Sequence, residues 1–273
     1  MIKSVDLRWR DGKIKALTLS YDDGTRHDEK MVEILDRHGI KCTFNLNNRD
    51  NNDDCHITPA EYKELYKNHE IAVHGQNHIF MKNVPFGTVV DEVIANRLQL
   101  EEITGERIQG MAYPYGPYNE DIIEALKMCG IKYSRTTPVT HKFELPESWY
   151  AWEGTCHHQD ENLFELCDKF LALKEPEESY RRISGRVFYM WGHSYEFDRN
   201  DNWDRLEEFC RKMGGHDDIW YATNMEIYNY VEAYRSLEFN VNLTKVHNPT
   251  ATDVWFSADK VTILVKAGET IDF

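Results

Sequence analysis

The sequence has no long uninterrupted run of hydrophobic residues and no leader pattern at its start. No window approaches the roughly 18 consecutive apolar residues that a membrane-spanning helix needs. The opening Met1–Asp6 lacks the apolar segment of a secretory signal. These absences predict a soluble, unexported protein, and we expect it in the cytoplasm.

Positive charge is scarce as well. Lysine and arginine number 32 against 47 aspartates and glutamates, which gives a formal net charge of -15. A surface with this excess of negative charge repels both the phosphate backbone of nucleic acids and anionic lipids. We therefore expect neither nucleic acid nor membrane as a partner.

Redox and structural-zinc motifs are missing, because the six cysteines form no C-x-x-C pair. Scattered cysteines of this kind are typical of free thiols in a reducing compartment. The cysteines are Cys42, Cys55, Cys129, Cys156, Cys167 and Cys210.

The sequence does have the composition of a folded domain, with 41% hydrophobic residues over 273 positions. Lys15–Ser20 predicts a strand, and a helical pattern follows from Asp28 to His38. The unit recurs as far as a last helix capped by Thr223 and Glu226. About seven such units predict an α/β fold whose parallel strands close into a distorted barrel.

The two ends of the chain have a different pattern. Short alternating runs from Glu238 onward predict a small antiparallel β appendage. We expect residues 1–236 to form the barrel and residues 237–273 to form the appendage, packed on the barrel. Near the start, Arg10–Lys13 has the composition of a hairpin turn between two extended segments.

Polar residues follow several of the predicted strands. In a parallel α/β fold the carboxyl ends of the strands form the active face, so these residues are candidates for chemistry. One carboxylate and two imidazoles make a common three-ligand set for a zinc-like ion. Paired aspartates such as Asp217–Asp218 also occur in polar loops, so adjacency alone does not indicate function. The strand-end residues are Asp22, Asp23, His74, His78, Tyr113 to Gly116 and His193.

In this order the residues resemble the motifs of the polysaccharide deacetylases of carbohydrate esterase family four, the NodB-homology domain. The family's T-F-D-D-G appears as Ser20–Gly24, and its H-S/T-x-x-H as His74–His78. Its R-x-P-Y-G appears as Ala112–Gly116, and its final L-x-H as Trp191–His193. The resemblance spans about residues 15 to 235 and leaves the β appendage uncovered.

The resemblance implies a division of roles. Asp23, His74 and His78 would hold one divalent metal ion, with zinc foremost and cobalt, nickel or manganese as alternatives. Asp22 would be the catalytic base, and His193 would protonate the departing amine. The backbone N–H of Tyr115, together with the metal, would stabilise the oxyanion.

Two departures from the family pattern stand out. Ala112 occupies the position of the arginine that pairs with the base, and Arg135 is the candidate replacement, with a surface charge as the alternative. The fourth family motif, an aspartate-tryptophan element, has no clear copy beyond Trp152–Glu153. The segment Cys156–His158 either reaches the mouth of the site or is an ordinary solvated loop.

These features predict a metal-dependent hydrolase that removes the N-acetyl group from an amino sugar or short oligosaccharide. Aromatic residues near the proposed site suit sugar rings, although several also suit the barrel core. A deformylase or a cyclic-ureide amidohydrolase on the same fold is an alternative. A noncatalytic glycan-binding or regulatory protein is an alternative of another class. The aromatic residues are Tyr113, Tyr115, Tyr118, Tyr189, Trp191 and Tyr195.

Overall fold

A parallel β-barrel surrounded by helices forms the body of the chain in a computed structural model, which describes residues 4–47, 54–177 and 182–273. The strands are β1 (Val5–Arg8), β2 (Lys15–Asp22), β3 (Cys42–Leu46), β4 (Glu70–Val73), β5 (Gly110–Ala112), β6 (Tyr133–Val139), β7 (Trp152–Gly154), β8 (Cys156–His157), β9 (Arg186–His193), β10 (Ile219–Tyr221), β11 (Glu238–Phe239), β12 (Lys245–His247), β13 (Val254–Ala258), β14 (Val261–Val265) and β15 (Thr270–Asp272). The helices are α1 (His27–Arg37), α2 (Tyr62–Leu65), α3 (Phe86–Thr104), α4 (Glu120–Met128), α5 (Leu163–Leu171), α6 (Tyr195–Arg199), α7 (Trp203–Met213) and α8 (Asn224–Arg235).

The main sheet closes on itself through one short segment. Its strands follow the order β7-β6-β5-β4-β3-β2-β9-β8, and neighbouring strands run parallel. Only Thr155 separates β7 from β8, so a single extended segment pairs with β6 at one end of the order and with β9 at the other. The predicted α/β barrel of about seven parallel strands is confirmed.

The helix ends follow the sequence signals. Gly39 and Gly130 have φ of 65° and 75°, the left-handed conformation that ends α1 and α4. Thr223 and Glu226 form a reciprocal capping box at the start of α8. Among the described helices, none combines the length and hydrophobicity needed to cross a membrane.

The extra strands at the C-terminus are antiparallel, as predicted. They form two small sheets, with the orders β1-β13-β14 and β11-β12-β15. The first strand of the chain therefore pairs with the C-terminal strands and not with the barrel.

The predicted hairpin at Arg10–Lys13 is wrong. A tight turn is present, with the Gly12 N–H bonded to the Trp9 carbonyl at 3.0 Å. The strands on its two sides do not pair, because β3 and β10 occupy one edge of β2 and β9 occupies the other. The β1 strand therefore pairs with β13.

Candidate active site

The candidate site lies at the carboxyl end of β2. Asp22 is the last residue of this strand, and its registered neighbours are Asn45 on β3 and His193 on β9. Asp23 follows directly with φ of 81°, a left-handed conformation that non-glycine residues seldom adopt. Strained backbone of this kind clusters at functional sites, where the surrounding structure holds it in place.

The loop after β4 brings in both imidazoles of the second motif. Gly75 has φ of 80° and His78 has φ of 51°, so the chain turns sharply between His74 and His78. The buried Glu92 of α3 holds this turn, because its carboxylate accepts the backbone N–H of Asn77 at 2.8 Å. The turn is therefore supported from outside the loop.

Asp23, His74 and His78 place three candidate ligand atoms within 4.8 Å of one another. The Asp23 carboxylate lies 3.8 Å from His74 Nε2 and 3.6 Å from His78 Nε2. His74 Nδ1 donates to the carbonyl of Ala112 at 2.8 Å, which fixes the tautomer and leaves the Nε2 lone pair for a metal. The Asn47 amide donates to Asp23 Oδ1 at 3.0 Å and orients that carboxylate. The three residues fit a divalent ion.

Asp22 is buried and held from two sides. Asn45 Nδ2 donates to Asp22 Oδ1 at 2.8 Å, and the guanidinium of Arg135 donates to Asp22 Oδ2. Arg135 is itself only 1% exposed, and its guanidinium lies 4.4 Å from the ring centroid of Trp191. The guanidinium therefore contacts a carboxylate and an aromatic ring, as its planar shape allows.

These contacts keep Asp22 ionised. Burial raises the pKa of its carboxyl, but the charges of Arg135, His74 and His193 outweigh burial and lower the pKa to about 2. Asp22 is therefore a carboxylate at neutral pH, the form that a proton acceptor requires.

The third motif contributes Tyr115. This residue is 54% exposed, has φ of 63°, and its ring centroid lies 4.6 Å from that of His78. Thr136 Oγ1 donates to the carbonyl of Gly116 at 2.7 Å and anchors the turn to β6. Tyr113 is buried in the core and stacks on Tyr118, so these two rings serve packing.

His193 faces the two aspartates from the opposite wall. Its Nε2 lies 3.9 Å from Asp22 Oδ2 and 4.0 Å from Asp23 Oδ2. Burial lowers the pKa of His193, but the nearby carboxylates of Glu196, Asp22 and Asp23 more than offset it, and the net pKa is raised. The structure thus brings all seven predicted site residues together, although their chemical roles remain predictions.

Several residues around the site were not predicted. Asn45, on the strand next to Asp22, follows the same strand-end rule and was detectable by it. Glu196 lies three residues after His193 on the first turn of α6, with its Oε2 atom 3.4 Å from His193 Nδ1.

Trp152, from the doubtful fourth motif, is buried beside Tyr133 and Tyr189. This part of the motif therefore belongs to the barrel core.

Part of the chain resembles a known protein family. Residues 10–134 match the family model described as Polysaccharide deacetylase. A curated relative, the uncharacterized protein YlxY of Bacillus subtilis (strain 168), is 25% identical over 114 residues, which cover 42% of this chain and 35% of the relative. The chain thus spans about a third of the length of this relative.

Solved structures share the fold at low sequence identity. An inferred polysaccharide deacetylase from Mycobacterium smegmatis has a TM-score of 0.61 at 17% identity, covering 86% of this chain and 96% of that one. A family 4 carbohydrate esterase from Streptomyces lividans, in complex with acetate, has a TM-score of 0.50 at 13% identity, with coverages of 77% and 93%. The resemblance to the polysaccharide deacetylases of carbohydrate esterase family four is confirmed.

Proposed function

We propose that the protein is a metal-dependent hydrolase that removes the N-acetyl group from an amino sugar or short oligosaccharide. One observation supports this proposal most strongly: the three candidate ligand atoms of Asp23, His74 and His78 lie within 4.8 Å of one another, beside the buried pair of Asp22 and Arg135. A metal held by this ligand set could polarise an amide carbonyl, and the separate carboxylate next to it could accept a proton from water.

Asp23, His74 and His78 would hold the metal, zinc foremost. When bound, such an ion supplies Lewis acidity that polarises the amide carbonyl and makes water easier to deprotonate. Asp22 accepts the proton of the attacking water. Asn45 and Arg135 hold its two oxygens, so the carboxylate is oriented before substrate arrives.

Two other groups act on the substrate itself. The backbone N–H of Tyr115 donates to the developing oxyanion from the loop beside His78. His193 delivers a proton to the departing amine nitrogen, which would otherwise leave as a strongly basic anion. Its position within 4.0 Å of both aspartates supports this role.

Exposed aromatic rings support a carbohydrate substrate. Phe80 and Tyr115 are 39% and 54% exposed, and their ring centroids lie 5.9 Å apart beside His78. Flat apolar faces with polar neighbours suit the faces of sugar rings. The net charge of -15 disfavours an anionic polymer, so the proposed substrate is neutral. The five buried cysteines form no disulfide, which supports a reducing compartment such as the cytoplasm.

The test of this proposal distinguishes which acyl group the protein removes and from which kind of molecule. Protein loaded with zinc is incubated with N-acetylglucosamine oligomers, the matching N-formyl sugars and a cyclic ureide, and the acid or ring-opened product is quantified. We expect acetate from the acetylated oligomers and no turnover after chelation. Exclusive release of formate, or opening of the ureide ring, would assign the alternative hydrolase activities. Binding of the oligomers without any turnover would favour the noncatalytic alternative.

A further inference from the structure

A second polar cluster lies behind His193, centred on Glu196 of α6. The Glu196 Oε2 atom lies 3.1 Å from His157 Nε2, 3.3 Å from His158 Nε2 and 3.4 Å from His193 Nδ1. Its other oxygen, Oε1, accepts a hydrogen bond from Arg199 Nη2 at 2.9 Å. One carboxylate therefore faces three imidazoles.

The spacing alone would also suit a second metal, because candidate ligand atoms of His157, His193 and Glu196 lie within 4.8 Å of one another. The tautomer of His157 decides against it. The backbone N–H of Gln159 donates to His157 Nδ1 at 3.1 Å, so the ring hydrogen of neutral His157 is on Nε2. The Nε2–H group of His157 faces Glu196 and cannot bind a metal while it carries its hydrogen. His74 has the opposite tautomer, which keeps its Nε2 lone pair for a metal.

Gly192, the glycine of the last motif, leaves the space that the His158 ring occupies in this cluster. A Cβ on Gly192 would lie 1.9 Å from His158 Nδ1, so the ring occupies space that only glycine leaves open. The His158 ring stacks on Phe197 at 4.1 Å and on Tyr21 at 5.6 Å between centroids. Arg205 Nε donates to the His158 carbonyl at 2.7 Å. His158 is therefore fixed beside Glu196.

His193 Nδ1 is buried and has no hydrogen bond of regular geometry in the described part of the chain, and the carboxylate oxygen that faces it is Glu196 Oε2 at 3.4 Å. We infer that Glu196 is the positioning residue of His193. It accepts the hydrogen on Nδ1, so that Nε2 is directed at the space beside Asp22 and Asp23 where the departing amine is protonated. His157 and His158 lie against the same carboxylate oxygen, and Arg199 donates to the other one. This inference rests on the proposed function.

If Glu196 positions the proton donor His193, the effect of replacing Glu196 on the rate depends on whether the leaving group needs a proton. A departing amine needs a proton in the transition state, whereas the phenolate of an activated aryl acetate leaves without one. Loss of Glu196 should therefore slow hydrolysis of an N-acetyl sugar and leave hydrolysis of p-nitrophenyl acetate largely intact. A general structural defect would slow both reactions in parallel.

The test compares Glu196→Gln and Glu196→Asp with the wild type on both substrates, and measures zinc content. Glu196→Gln should lower kcat for the N-acetyl sugar about tenfold or more, since general acids contribute about 10²- to 10⁴-fold in all. The KM of this variant for the N-acetyl sugar and its kcat for p-nitrophenyl acetate should both stay near the wild-type values. Glu196→Asp, which keeps the charge on a shorter side chain, should recover part of the lost kcat.

Asp198→Asn is the matched control, because it removes the same charge from the same helix at an exposed position. It should leave both reactions unchanged. Parallel loss of both reactions in Glu196→Gln, an unchanged kcat for the N-acetyl sugar, or loss of a second equivalent of zinc would each overturn the inference. Failure of the wild type to act on the sugar would instead overturn the proposed function.

Discussion

The buried guanidinium of Arg135 contacts the buried carboxylate of Asp22, although the two residues are 113 positions apart in the sequence. In the parallel pairing of β5 and β6, Arg135 is the registered neighbour of Ala112. Ala112 occupies the third-motif position where the family pattern has arginine. The cation that contacts Asp22, the proposed base, is thus supplied from the adjacent strand at the same level of the barrel.

This pair predicts the effect of changing Arg135. Arg135→Met should lower the free energy of unfolding by about 3–5 kcal/mol, because it leaves a buried carboxylate without its cation. Arg135→Lys should keep more stability but still reduce turnover, because an ammonium has no planar fork. Urea denaturation and steady-state kinetics measure the two effects.

The double variant Asp22→Asn/Arg135→Met is the control for stability. Removing both charges should restore much of the free energy that Arg135→Met loses. Additive losses in the single and double variants would show that the two side chains do not interact.

The metal site predicts a stoichiometry. The purified, zinc-loaded protein should hold about one ion per chain, and His74→Ala or His78→Ala should lose it, because two ligands retain a catalytic ion poorly. Elemental analysis after dialysis gives the number. His141→Asn, at an exposed histidine paired with Asp160, is the control and should keep the ion. Full metal content in both site variants would refute the ligand assignment.

Asp28 predicts a pH dependence of stability. Burial raises the pKa of this carboxyl to about 7, against the lowering effect of hydrogen bonds from Ser194 and Tyr66. The folded protein therefore keeps a proton that the unfolded chain releases near pH 4. This stabilisation is full below pH 4 and is lost as the pH rises to about 7.

The comparison with Asp28→Asn isolates this effect, because asparagine does not titrate. In metal-free protein, the stability of the wild type relative to the variant should fall by up to about 4 kcal/mol between pH 4 and pH 8. Denaturant unfolding at several pH values measures the difference. Parallel pH curves for the two proteins would contradict the buried, protonated Asp28.

Much of this arrangement could be predicted from the sequence, because strand-end positions and helix caps are local signals. The aspartates at and just after the end of β2 and the histidines after β4 follow from that rule. The closure of the barrel by residues 152–157 was not predictable in this way, because β7 and β8 have three and two residues and no alternating pattern. The pairing of β1 with β13 depends on which edges of β2 are already occupied, a nonlocal property.

Removing the His193 side chain should reduce turnover without loss of the metal. His193→Ala should reduce kcat for an N-acetylated sugar by about 10²- to 10⁴-fold, because the amine must then leave without a proton. Its zinc content should equal that of the wild type. A variant within about twofold of the wild type would leave His193 without this role, since the smallest expected loss is near a hundredfold.

The most direct test of the whole account is acetate release by wild type and Asp22→Asn, both loaded with zinc. Asparagine keeps the shape of the side chain but cannot accept the proton of water at neutral pH. We predict metal-dependent acetate release from N-acetylglucosamine oligomers by the wild type, and a loss of about 10²-fold or more in Asp22→Asn at equal zinc content. Equal acetate release by the two proteins would contradict the account.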